Sequence, residues 1–168
     1  MLPEFKEIVA RAGASPPDGL ELGRSREDRP VVGYRFGDGP VKISLIGGCH
    51  ADEPVGPMLL RHVVAYLTGL PAGSPVLENY QWWIVPHINP DGAERNRSWC
   101  DGAIDRYDLP TYLQHVVREL PGDDIEFGFP RDTGDTGARP ENRAVYDWWR
   151  SDSAPFGLHI SLHGMGFA

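Results

Sequence analysis

The chain has 168 residues, 40% hydrophobic and 24% charged, which is enough for one domain with its own core. A formal net charge of −8 argues against nucleic acid or an anionic membrane as partner, because either needs a basic surface. No apolar run is long enough to span a bilayer, and two cysteines, Cys49 and Cys100, are too few for a disulfide framework.

In chain order, "MLPEFKEIVARAG" predicts a short helix with Phe5, Ile8 and Val9 on one face and Gly13 ending it. Its Glu4, Lys6, Glu7 and Arg11 are wrong for a signal peptide, so the expected location is cytoplasmic. After the loop "GASPPDG", the runs "RPVVGYRF" and "VKISLI" flank "GDG" and predict two strands joined by a tight turn. "PVGPMLLRHVVAYLTGL" has helical periodicity, with Pro54 and Pro57 confined to a first turn that needs no internal donors. "NYQWWIVPHI" predicts a buried strand ending in the turn "NPDG", and the residues from Ala93 to Asp108 read as polar and irregular. "LPTYLQHVVREL" predicts a second helix, and "DDIEFGFPRDTGDTGA" a long loop of the functional or mobile kind. "RPENRAVYDWWR" predicts a third helix with Val145, Trp148 and Trp149 inward, and "FGLHISLHGMGFA" a last strand. Strands alternating with helices indicate an α/β fold, and residues 1–168 read as a single domain.

The stretch "LIGGCHADEPVGP" places His50, Asp52 and Glu53 where an apolar strand gives way to a helix. If the helix starts near Asp52, one turn brings His50 and Glu53 to the same side, and together they supply two ligands for a catalytic zinc. Asp52 and Glu53 equally suit a helix N-terminus, so the pair alone is ambiguous. Among the remaining histidines, His62 and His115 read as surface residues of helices, and His87 as a packed strand-end residue. His159 and His163 share a face of the last strand but stand roughly 13 Å apart, too far for one ion. Sites in open α/β sheets form outside the carboxyl ends of strands. That favours His163 as the third ligand and leaves His159 as a core or supporting residue.

Four motifs in order resemble the zinc carboxypeptidase family. They are "LGRSREDRPVVGYRFGDG" with its Gly-x-Ser-x-x-x-Arg pattern, "GGCHADE" with His-x-x-Glu, "VPHINPDG" with Asn-Pro-Asp-Gly, and "HISLHG" carrying His163. The resemblance spans about Gly23 to Gly164. It implies a mixed, mostly parallel twisted sheet with helices on both faces, and one Zn2+ held by His50, Glu53 and His163. It also implies hydrolysis of a peptide or amide bond, with a glutamate moving protons and an arginine holding the oxyanion. Arg95 or Arg97, just past Asn-Pro-Asp-Gly, is the candidate for the arginine.

The departures from the family pattern are as informative. Where the family carries Asp-x-Asn-Arg to grip a substrate carboxylate, this chain has "DIEFGFP", with Glu126 and Phe127 in those places. A carboxylate does not bind a carboxylate without a cation or proton between them, so the resemblance implies atypical recognition of the substrate end group. Ser161 stands where many members have Asp. The family's general-base glutamate comes after the last ligand strand, and no residue here matches it. Glu141 sits in a helix that resembles a structural one. The expectation is therefore an incomplete domain, its open sheet edge covered by a C-terminal segment or a partner chain. Two further functions stay open. One is a deacylase of N-acyl amino acids similar to aspartoacylase or succinylglutamate desuccinylase. The other is a catalytically incomplete zinc-binding module.

Overall fold

The computed structural model describes residues 18–100 and 109–164; the expected N-terminal helix lies outside them. Five strands form one sheet in the order β1-β2-β4-β3-β5. They are β1 (Leu20–Arg24), β2 (Pro30–Phe36), β3 (Val41–Gly47), β4 (Tyr80–Val85) and β5 (Leu158–Leu162). The pairings of β3 with β4 and with β5 are parallel, while β2 pairs antiparallel with β1 and with β4. The sheet is thus mixed, as expected of the α/β class.

β2 and β3 do not form the expected hairpin, because β4 lies between them and takes the edge of each. The "GDG" linker turns the chain without pairing its two flanks. β3 is an inner strand between β4 and β5, and all its residues except Val41 are buried. Alternation along it serves two cores. Ile43 and Leu45 pack with Leu60, Val64 and Leu67 of α1 (Val55–Thr68) on one face. On the other face, Ile46 meets Val31, Val85, Ile125 and Val145, with Trp148 and Trp149 closing over them from α5 (Pro140–Arg150). Each such side chain contributes about 2 kcal/mol on burial. Lys42, also buried, donates to the Ala154 carbonyl at 3.1 Å and lies over Trp83 and Phe156.

The other α-helices among the described residues are α2 (Pro75–Glu78), α3 (Pro90–Cys100) and α4 (Leu109–His115). The α3 helix occupies much of the stretch expected to be irregular. Asn89 is the reason: its Oδ1 accepts from the Gly92 amide at 2.9 Å, and Pro90 follows at the first helical position. What reads as a turn is a helix start. The second predicted helix is shorter than expected, ending at His115. The long loop contains a single 3-10 turn, Ile125–Phe127, and another, Pro121–Asp123, leads into it. β5 is an edge strand, with Leu158 and Ile160 exposed.

Candidate metal centre

At the carboxyl end of β3, Gly48 adopts φ +71° beside the His87 ring and redirects the chain. The Glu53 amide then donates to the His50 carbonyl at 3.2 Å, closing a turn before α1 begins at Val55. This turn, rather than a helix starting near Asp52, brings His50 and Glu53 together. β5 approaches from the other side. Gly56 makes that approach possible, since a Cβ there would stand 2.5 Å from the Leu162 carbonyl oxygen. The next residue, His163, thereby lands on Glu53.

Among the described residues, His50, Glu53 and His163 form a group able to hold a metal, their donor atoms all within 4.8 Å of one another. The two imidazole centroids are 4.9 Å apart. Nδ1 of His50 is 3.0 Å from Oε1 of Glu53, and Nδ1 of His163 is 3.0 Å from Oε2. Ligands at about 2 Å from a tetrahedral zinc stand about 3.3 Å apart, so the donor set fits the ion. The opposite ring nitrogens also meet acids: Nε2 of His50 is 3.3 Å from Asp124 Oδ2, and Nε2 of His163 is 3.3 Å from Glu126 Oε2. Two neutral imidazoles with their N–H groups on that outer side turn both Nδ1 lone pairs towards the Glu53 carboxylate, which is repulsive. A cation between them, or an added proton on each ring, removes the conflict. Glu53 is buried, so the preference for a cation is enforced at low dielectric.

Among the described residues, an arginine that sequence reasoning passed over reaches this cluster. Arg118 places Nη1 3.4 Å from Asp52 Oδ2 and Nη2 3.4 Å from Glu53 Oε1, with half of its side chain exposed. The route to that position begins at α3. Buried Asn96 donates to the Val117 carbonyl at 2.8 Å and accepts from the Val117 amide at 2.9 Å. Asn89 donates to Glu119 on the other flank. Arg95 and Arg97, the two expected candidates, lie on α3 and are engaged elsewhere. Arg95 pairs with Glu27, while Arg97 pairs with Glu94 at 3.1 Å and lines a cleft of about 390 Å³ that includes no cluster residue. Helical geometry turns them away from the site that an irregular loop could have reached.

The motifs flanking the cluster are joined. Asp91 of Asn-Pro-Asp-Gly accepts from Ser25 Oγ at 2.6 Å, Arg29 Nη1 at 2.8 Å and the Glu27 amide at 3.1 Å. Burial works to raise the Asp91 carboxyl, but these bonds outweigh it and hold the group below the ordinary carboxylate range. The Ser and Arg of the first motif therefore clamp the Asp of the third. Glu141 is fully buried against Arg139 at 3.1 Å, and Asn142 Nδ2 donates to the Ile125 carbonyl, so α5 anchors the segment bearing Asp124 and Glu126. His159, expected as a core or supporting residue, is exposed on β5 and set edge-on to Trp149. Burial, with a smaller effect of Arg61, lowers His87 to about 3, leaving a neutral ring whose Nδ1 accepts from the Asn89 amide. Cys49 is buried beside the cluster, its Sγ 3.8 Å from Ser161 Oγ. Burial, reinforced by Glu126, raises its thiol and keeps it protonated.

A family model described as zinc carboxypeptidase matches residues 18–167. Carboxypeptidase D of Mus musculus is 30% identical over 193 residues, covering 94% of this chain and 14% of that protein. An inactive metallocarboxypeptidase of Uncinocarpus reesii is 27% identical over 141 residues, covering 72% of this chain and 23% of its own length. The chain thus spans less than a quarter of either relative. The carboxypeptidase A structure from Helicoverpa armigera superposes with a TM-score of 0.63 at 19% identity, over 98% of this chain and 46% of that one. With the family match covering nearly all of its residues, this chain belongs to the zinc carboxypeptidase family.

Proposed function

We propose that this chain supplies the metal-holding part of a zinc-dependent hydrolase of peptide or amide bonds, with His50, Glu53 and His163 as the ligands of one ion. The observation that carries this reading is the convergence of both Nδ1 atoms on one buried carboxylate, an arrangement that calls for a cation. When bound, zinc polarises the scissile carbonyl and lowers the pKa of a water towards neutrality. Asp124 faces the outer nitrogen of His50 and keeps that ring turned to the ion. Arg118 takes the oxyanion role in place of Arg95 and Arg97, because among the described residues its guanidinium reaches Glu53 and leaves half its surface open to substrate.

Substrate end-group recognition is atypical in this proposal. Glu126 is drawn to His163, and Phe127 is 84% exposed, so neither supplies a cation for a free carboxylate. The general-base glutamate and the cover for β5 come from a C-terminal segment or partner chain, in keeping with the exposed Leu158 and Ile160. The test is zinc content and turnover of the naturally expressed protein. Wild type is expected to hold one zinc and to cleave a C-terminally amidated peptide at least as well as the free acid. His50→Ala and His163→Ala are expected to lose zinc and activity together. A strict preference for the free acid overturns the end-group reading, cleavage of N-acyl amino acids alone moves the enzyme to the deacylases, and zinc bound without turnover identifies a binding module.

A further inference from the structure

His163 stands at the end of an edge strand with its side chain 36% exposed, so packing alone does not fix its ring. Two polar neighbours do. Ser161, two residues upstream on the same strand face, has its Oγ 3.1 Å from His163 Nε2. The same hydroxyl donates to Glu126 Oε2 at 3.2 Å. A carboxylate accepts only, and a serine hydroxyl carries one hydrogen. Once that hydrogen is given to Glu126, Ser161 faces His163 as an acceptor, which favours the ring proton on Nε2. The Cys49 sulfur lies 3.8 Å from the same oxygen, and its thiol also bonds Glu126, which can only accept, so the thiol hydrogen goes to that carboxylate.

We infer that Ser161 and Glu126 act as one support that fixes His163 in the Nε2–H tautomer and presents its Nδ1 to the metal. Both are positioning residues, and Glu126 thereby serves the metal ligand rather than the substrate end group. Nε2 of His163 also stands 3.3 Å from Glu126 Oε2 itself, as Nε2 of His50 stands 3.3 Å from Asp124 Oδ2; the Ser161 hydroxyl is what His163 has in addition. The inference rests on His163 being a zinc ligand, so the experiment separates the two claims.

Zinc affinity is measured by competition with a chromophoric chelator on the naturally expressed protein and on Ser161→Ala, Glu126→Ala, Glu126→Gln, the Ser161→Ala/Glu126→Ala double variant and His163→Ala. Outer-shell partners of this kind are worth about 10- to 100-fold in metal affinity, and that loss is expected for Ser161→Ala and for Glu126→Ala. The double variant is expected to be no weaker than the poorer single variant to within about threefold, the sign of groups acting as a unit. Glu126→Gln is expected to stay within about threefold of wild type, because its amide carbonyl still accepts from Ser161. Unchanged affinity in Ser161→Ala, losses that multiply in the double variant, or Glu126→Gln as weak as Glu126→Ala overturns the support; the last outcome means charge alone acts. His163→Ala with wild-type affinity overturns the ligand assignment itself. The unfolding midpoint of each zinc-free variant is read first, and should Glu126→Ala not fold, Ser161→Ala and Glu126→Gln decide.

Discussion

Arg118 brings positive charge to a rim otherwise occupied by Asp52, Glu53, Asp124 and Glu126. Its removal is expected to act on the chemistry rather than on the metal. Arg118→Ala should lower kcat by about 10²- to 10³-fold, the usual cost of losing one oxyanion donor, while zinc binding is retained or tightened. Steady-state kinetics beside chelator competition checks both halves, and loss of zinc instead of kcat removes Arg118 from that role. The contrast with His50 and Glu53 explains what the sequence reveals at this scale. Those two lie three residues apart and meet through one local turn, so spacing announces them. Arg118 is placed by the hold of Asn96 on its neighbour Val117, twenty-one residues away in the chain, and no local pattern records that contact.

At the scale of elements, the junction between α1 and β5 sets the distance between Glu53 and His163. Gly56→Ala puts a Cβ 2.5 Å from the Leu162 carbonyl oxygen, a backbone atom that cannot rotate aside. A cost of about 1–3 kcal/mol is expected from such overpacking, with weakened zinc binding as the strand is pushed out. Gly122→Ala, where a Cβ meets nothing within 4 Å, is the control and should change neither. Thermal unfolding and zinc affinity of the two variants check this. The helices α1 and α5 and the buried strand β3 were legible because apolar periodicity and burial coincide in them. α3 was not, because Asn-Pro-Asp-Gly suits a turn and a helix start equally and only the Asn89 cap decides. The supposed hairpin failed for a related reason: a short Gly-Asp-Gly linker permits pairing of its flanks but does not compel it, and β4 competes successfully.

For the whole molecule, the clamp on Asp91 ties the start of α3 to the segment between β1 and β2, and it also ties stability to pH. The folded carboxyl lies below its unfolded value, so its contribution is fully present above the unfolded pKa of about 3.9 and is lost as pH falls through the folded pKa. Denaturant titrations from pH 7 down to pH 2 should show stability falling below about pH 4. Asp91→Asn should be less stable at neutral pH and should fall less steeply, and an unchanged slope removes Asp91 as the acid-sensitive group. The parallel strands and two-sided core make this a fold whose class is readable from alternation, whereas the joining of its first and third motifs through Ser25, Arg29 and Asp91 is visible only in three dimensions.

Cys49 has a consequence of its own. Its sulfur is sealed beneath Ser161 at the inner side of β5 and is held in the unreactive protonated form. Alkylating reagents therefore gain access only while that strand is lifted from its neighbour. The pace of thiol labelling at this one position becomes a clock for how often the peptide carrying His163 comes loose.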